Sequence, residues 1–459
     1  MQSDTICALA TPTGGAIGIV RISGERSLEI VSRIFSKDIR DANANTIHHG
    51  YILSSSGESI DEVLVSVFRS PNSYTGEDSA EISCHGSRYI LNNVLELLVA
   101  NGCRMASPGE YTQRAYLNGK LDLSQAEAVA DLIASTNKAT HQMAMGQLRG
   151  HFSSELSLLR EQLLKLTSLL ELELDFSEHE DLEFADRTEL SALAQTIDAR
   201  ITALARSFEI GQAIKQGIPV AIVGKTNAGK STLLNRLIHD ERAIVSDIHG
   251  TTRDTIEDFI DICGVTFRLI DTAGLRTTND TIEQIGIQRT YAAIEKSRIV
   301  LWLIDASPTE EEIKDMIERS NEKSLIIVRT KSDMHPANDE TLHFVNEFPM
   351  LQSAPVIAIS ARTGHNIDVL EQTIYNATNL PTITESDVIV SNARHYHSLL
   401  AAHENIQRVK ENLSNNLSGD LIAEDLRLVL SDLADITGDG QITPQETLNN
   451  IFSHFCIGK

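Results

Sequence analysis

Gly224-Lys225-Thr226-Asn227-Ala228-Gly229-Lys230-Ser231 follows the apolar run VAIVG (220–224) and opens STLLNRLI (231–238), which has helical periodicity. The octet fits GxxxxGK[ST] in a strand–loop–helix setting. Glycines let a backbone wrap phosphates without Cβ clashes, and successive N–H groups then point inward. Lys230 is placed to neutralise the β- and γ-phosphates, and the Ser231 hydroxyl to bind Mg²⁺. The helix that follows adds a favourable dipole. Asn227 to Thr232 (Asn227, Ala228, Gly229, Lys230, Ser231, Thr232) are therefore candidate nucleotide contacts. Asn227 also offers an oxygen beside the phosphates that can help hold a monovalent cation.

Outward from this loop, short apolar runs alternate with helical patterns: VTFRLID (265–271), IVLWLID (299–305), LIIVRT (325–330) and VIAISA (356–361). That alternation predicts an inserted parallel α/β domain over 215–377. Motifs stand at the strand ends. Asp271-Thr272-Ala273-Gly274 offers a carboxylate for Mg²⁺ through water and a glycine amide for the γ-phosphate. Thr251 and Thr252, in GTTRD, offer a hydroxyl to complete Mg²⁺ coordination. Thr330-Lys331-Ser332-Asp333 supplies a carboxylate for guanine N1 and N2, and Ser360-Ala361-Arg362 an amide for guanine O6. Thr330 stands where such motifs carry Asn, which predicts weaker nucleotide binding with guanine preference kept by Asp333. Leu275 occupies the position of the usual water-orienting Gln. The work must come from elsewhere, and Glu283 in IEQIG (282–286) is the candidate, its alternative being a solvated helix face.

The flanks differ. Prolines are absent over 109–218 and 382–443, stretches that favour helix. Leu190, Leu193, Ala194, Ile197, Ile201 and Leu204 recur at helical spacing, as do Leu421, Leu426, Val429, Leu430 and Leu433. The reading is a helical domain in two parts, 120–214 and 378–459, interrupted by the α/β insertion. Residues 1–119 are mixed, with strands expected at AIGIVRI (16–22) and VLVSVF (63–68) and a helix at ILNNVLELLVA (90–100).

The chain has 459 residues, with 39 Lys and Arg against 64 Asp and Glu, so its formal charge is 39 − 64 = −25. Such an acid excess makes a poor non-specific nucleic-acid binder, so an RNA partner must meet a local basic patch or be held by a second protein. The five cysteines show no CxxC pair or regular spacing, which argues against a disulfide framework or zinc cage. MQSDTICALATP lacks the basic n-region of a signal peptide, and no apolar run is long enough to span a bilayer. A cytoplasmic protein without a membrane partner is expected.

These residues resemble the family of bacterial tRNA modification GTPases called MnmE or TrmE. The resemblance runs end to end, through ATPTGGAIGIVRISG, NSYTGEDSAEISCHG, PGEYTQRAYLNGKLDLSQAEA, GKTNAGKSTLLN, GTTRD, DTAGLR, IEQIGIQR and the terminal IFSHFCIGK. It implies an N-terminal folate-binding and dimerisation domain (1–119), the discontinuous helical domain, and a G domain whose GTP hydrolysis depends on K⁺ and on G-domain pairing in a homodimer. Asn227, Ser246, Ile248 and Gly250 would ligate K⁺, Ser231 and Thr252 Mg²⁺, and Glu283 would activate water beside Lys230 and Thr252. Ser246 would also touch nucleotide. With an FAD- and NADH-using partner, MnmG, in a heterotetramer or larger complex, the family adds an aminomethyl-type group to C5 of the wobble uridine of certain tRNAs. The carbon comes from 5-formyl- or methylene-tetrahydrofolate. Arg21, Glu81, Lys120 and Lys459 would contact folate, and Cys456 is a further candidate, with a packed terminal thiol as its alternative. Two rival readings are a regulatory GTPase of ribosome assembly and a scaffold with a structural nucleotide. Asp435 to Glu446 has an EF-hand-like spacing, weakened by Thr437 at a ligand position.

Overall fold

The computed structural model describes residues 4–176, 187–239, 258–270, 283–334, 343–381, 383–438, 448, 451–453, 455 and 458. The chain forms two compact units: Met1–Ile133 with Gly146–Ile201 and Ser398–Lys459, and Ala134–Met145 with Thr202–His397.

The first unit holds a six-stranded sheet. Its strands are β1 (Ile6–Leu9), β2 (Ile17–Ser23), β3 (Thr46–Leu53), β4 (Ser59–Phe68), β5 (Ser79–His85) and β6 (Arg104–Met105), in the order β3-β4-β5-β2-β1-β6. All neighbours are antiparallel except β1 and β6. Alternation sends Val20, Ile22, Val63, Val65, Val67 and Ile82 into a core with Leu28, Val31, Leu91, Val94 and Leu98 of helices Ser27–Ile34 and Arg88–Ala100. The strands expected at 16–22 and 63–68 and the helix at 90–100 are present. β1, β3 and β5 were not anticipated.

Helix Gly419–Thr437 packs along helix His151–Phe176. The helical spacings hold: Leu190, Ala194, Ile197, Ile201 and Leu204 are buried, as are Leu426, Val429 and Leu433. Leu421, named in the same spacing, stands 53% exposed in the first turn of its helix. Buried Asp198 pairs with His403 Nδ1 at 2.8 Å and accepts from Gln407 Nε2 at 2.9 Å and Lys410 Nζ at 2.7 Å. Residues 435–437 end the Gly419–Thr437 helix, and Gly438 caps it in the left-handed region at φ 76°. The rest of the EF-hand-like stretch, 439–446, lies outside the described residues.

The second unit is built on β7 (Ile218–Gly224), β8 (Asp258–Ile262), β9 (Val265–Ile270), β10 (Ile299–Ile304), β11 (Ser324–Arg329) and β12 (Val356–Ala358), ordered β12-β11-β10-β7-β9-β8. Every neighbouring pair is parallel except β8–β9. That hairpin turns through Cys263 (φ 55°) and Gly264 (φ 81°), the positive pair that a tight β-turn requires. Both faces are buried, as in doubly wound sheets. Val220, Ile222, Leu301 and Leu303 meet Leu233, Leu237, Leu370 and Ile374 on one side, while Ala221, Val223, Trp302 and Ile304 meet Ala293, Ile294 and Ile313 on the other. β12 is shorter than the expected 356–361 run. Ser360 N bonds His365 O at 3.1 Å and Gly364 N bonds Ser360 O at 2.9 Å, so the chain turns there.

Candidate functional sites

β7 lies between β9 and β10, where the strand order reverses, and ligands of open α/β sheets sit beyond the carboxyl ends of strands at that point. The loop after β7 is shaped by backbone need. Gly224 has φ 154°, and a Cβ there would lie 2.4 Å from Leu303 O on β10. Asn227 (φ 66°) and Gly229 (φ 92°) occupy the left-handed region. Helix Lys230–His239 starts directly from the loop, and Leu233 N donates to Gly229 O at 2.9 Å. Lys230 Nζ donates to the carbonyls of Gly224 at 2.5 Å and Lys225 at 2.7 Å. Burial pushes its pKa down, partly offset by Asp305 at the end of β10. An arriving polyanion would favour the charged form. Ser231 is half-buried and Thr232 exposed.

Thr330 follows β11 and is buried. Its hydroxyl donates to Ala228 O at 2.8 Å, tying the guanine motif to the phosphate loop. The short hydroxyl thus braces the loop from the position where such motifs carry Asn. Thr330→Val keeps the shape and leaves the buried Ala228 carbonyl unpaired, at a cost of about 1–3 kcal/mol. Nucleotide affinity is expected to fall about tenfold in a fluorescent-nucleotide titration, and unchanged affinity would remove the brace.

Lys331, at φ 58°, pairs with Asp305 Oδ2 at 2.7 Å. The acid closing IVLWLID was visible in the sequence, yet its partner was not assigned. Ser332 N donates to Ile359 O at 3.1 Å, which brings Asp333, exposed, beside the turn of Ser360, Ala361 and Arg362. Ser360 is buried, and its hydroxyl accepts from Thr363 N at 3.2 Å. Lys225 Nζ pairs with Glu312 Oε2 at 3.0 Å, a partner that nothing in the loop motif signalled. Glu283 opens helix Glu283–Lys296. Ser246, Ile248, Gly250, Thr251, Thr252, Asp271, Thr272, Ala273 and Gly274 lie outside the described residues, as do Cys456 and Lys459.

A second constellation lies on the sheet of the first unit. Arg21 on β2 faces Glu81 on β5, with Nε and Nη2 at 2.9 and 2.7 Å from Oε1. The Arg21 guanidinium stands 5.7 Å from the ring centroids of both Tyr74 and Tyr111. Its Nη1 donates to Gly458 O at 3.2 Å, so the penultimate residue is held against the pair. Gly458 has φ 98°, and a Cβ there would meet Leu9 O at 2.4 Å. Tyr111 OH donates to Arg21 O at 2.8 Å, and Tyr74 OH is 2.9 Å from Thr112 Oγ1. Lys120 is placed differently: exposed, its Nζ donates to Pro71 O at 2.9 Å, at the foot of the loop that carries Tyr74. The two tyrosines were missed because their spacing from Arg21 in sequence carries no periodic signal. Among the described residues no group of three or more His, Cys, Asp or Glu could hold a metal ion. The four described cysteines, Cys7, Cys84, Cys103 and Cys263, are free thiols, and burial pushes Cys84 up to about 12.

The parallel sheet, the phosphate loop at its switch point and the Thr330–Asp333 motif define the class: a Ras-like P-loop GTPase domain within a larger chain. Residues 5–120 match the family described as GTP-binding protein TrmE N-terminus, and residues 123–456 the MnmE helical domain. The chain is 53% identical over 470 residues to the tRNA modification GTPase MnmE of Bacteroides thetaiotaomicron, with 100% of both chains covered. It is 52% identical over 500 residues to that of Phocaeicola vulgatus, covering 100% of this chain and 99% of the relative. It is 50% identical over 471 residues to that of Flavobacterium johnsoniae, with 100% of both covered. The chain belongs to the MnmE (TrmE) family of tRNA modification GTPases, and it is a GTP hydrolase.

Proposed function

We propose that this GTPase acts on tRNA, hydrolysing GTP in a potassium-dependent way while an FAD-dependent MnmG-type partner and a tetrahydrofolate one-carbon unit modify C5 of the wobble uridine. The observation that carries the reading is identity of 50–53% over the whole length to relatives named tRNA modification GTPase MnmE. The domain division that goes with it is 1–119, 120–214, 215–377 and 378–459, with a homodimer as the working form, tRNA and the partner in a heterotetramer or larger complex, and the cytoplasm as its place. No described helix is long and apolar enough to cross a membrane.

In this reading the N–H groups of Asn227 to Thr232 and the Lys230 ammonium bind the phosphates, and Asp333 and the Ser360–Arg362 turn read guanine. Thr251, Asp271, Thr272, Ala273, Gly274 and Lys331 complete the nucleotide contacts. Ser231 and Thr252 would hold Mg²⁺, and Asn227, Ser246, Ile248 and Gly250 K⁺. Asn227 suits that role chemically, being an amide oxygen donor on a left-handed corner of the loop. When bound, these cations supply positive charge against the phosphates. Glu283 would orient water. Around Arg21, the two flanking tyrosines and Glu81 suit a flat, nitrogen-rich ring, with Lys120, Lys459 and Cys456 as further contacts.

The test is nucleoside analysis of tRNA from cells lacking the chain. Loss of the C5 substituent at the wobble position, restored by the intact gene and not by one encoding Lys230→Ala, is expected. An unchanged nucleoside profile would overturn the tRNA reading.

A further inference from the structure

His85, the last residue of β5, belongs to none of the sites above, yet it is built like a functional imidazole. Its Nδ1 lies 2.7 Å from Asp61 Oδ1, and its backbone N donates to Asp61 Oδ2 at 2.8 Å. The Asp61 side chain is 6% exposed and the His85 side chain 70%. An ionised carboxylate only accepts, so Nδ1 carries the proton of that bond and Nε2 is left facing out. Glu62, on the neighbouring strand, would repel an incoming anion, but it is turned to His49 Nε2 at 2.6 Å.

His85 shares a sheet face with the Arg21–Glu81 pair. Antiparallel partners along β2 and β5 are Arg21 with Glu81, Ile19 with Ser83, and Ile17 with His85. Residues two apart on a strand point to the same side, so these three rungs form one strip roughly 13 Å long. One end is an ion pair flanked by two tyrosines. The middle is Ile19 and Ser83, both half-buried, and the far end sets Ile17, 64% exposed, beside the imidazole. Beyond His85, a Cβ on Gly86 would lie 1.9 Å from Gly15 O, so only bare backbone closes that end.

We propose that this strip is one extended binding surface and that His85, held by Asp61, receives the glutamate carboxylate of a reduced pteroylglutamate whose pterin sits on Arg21 and Glu81. The inference rests on the folate reading above and adds an end to it. Charge and length both fit. The pterin amino edge matches Glu81, the benzoyl ring Ile19, and an anionic tail the Nε2–H that the ring carries when both of its nitrogens are protonated. Asp61 is a positioning residue, acting through His85.

The experiment titrates the full-length protein and His85→Gln with two ligands, 5-formyltetrahydrofolate and the tetrahydropteroate that lacks its glutamate. The wild type is expected to prefer the glutamate-bearing ligand. His85→Gln should weaken that ligand about five- to tenfold, as for a partly exposed charge-assisted hydrogen bond, and leave tetrahydropteroate within about twofold. Asp61→Asn should show the same selective loss. Equal effects on both ligands, or on neither, would overturn the role of His85, as would a wild type indifferent to the glutamate. A wild type that binds neither ligand sinks the folate reading itself, and this inference with it. Melting curves of both variants, with and without GTP, check that the fold is intact.

Discussion

Lys230→Ala is expected to lower GTP turnover by about two to three orders of magnitude, the scale seen when one preorganised donor to a developing charge is removed. The side chain leaves the first turn of helix Lys230–His239, and its Nζ stands among carbonyls at the mouth of the loop. Among the described residues no other ammonium is so placed: Lys225 is turned to Glu312 and Lys331 to Asp305. A steady-state phosphate-release assay in magnesium and potassium checks the result. Melting should be little changed without nucleotide, because burial already works against the charge that the substitution removes. GTP should stabilise the wild type and leave the variant near its apo midpoint. Turnover within a few-fold of wild type would remove Lys230 from the site.

Gly224→Ala is the second large effect, and it acts on the fold. The residue ends β7 at φ 154°, a conformation L side chains avoid, and its added Cβ would press on the Leu303 carbonyl at 2.4 Å. That oxygen is backbone of the central parallel strand β10 and has nowhere to go. Strain and clash together are expected to cost about 3 kcal/mol or more. That lowers the melting point of the nucleotide-binding unit by about 6–12 °C, read by calorimetry or by circular dichroism. Gly57→Ala is the control. Its φ is 84°, but nothing lies within 4 Å of the new methyl group, so only backbone strain remains. Equal melting shifts for the two variants would show that the close approach of β7 to β10 carries no weight.

The nucleotide-binding unit was legible in sequence because its chemistry is local. Most of its strands are short apolar runs, and the phosphate-loop and Thr330–Asp333 motifs follow their strands directly. β8 escaped because DFIDI, at the sheet edge, sets two acids among three apolar residues, so it lacks the continuous run of a doubly covered strand. Within the first unit, β1 is only four residues long, and the signals of β3 and β5 are diluted by polar residues on the open face. Arg21 and Glu81 were named through the family resemblance, but their contact is a matter of register between strands sixty residues apart. The tyrosines and Asp61–His85 are likewise products of tertiary pairing. Thr330 shows the opposite limit: the residue was singled out correctly, and only the three-dimensional neighbour, Ala228, revealed what its hydroxyl does.

That hydroxyl also bears on how the two halves of the site are joined. The end of β11, proposed above to read the base, and the loop after β7, proposed to grip the phosphates, are fastened by the 2.8 Å bond from Thr330 to Ala228. In that proposed site a displacement on the base side is passed through this bond to the phosphate side, so the two halves of the cradle are coupled.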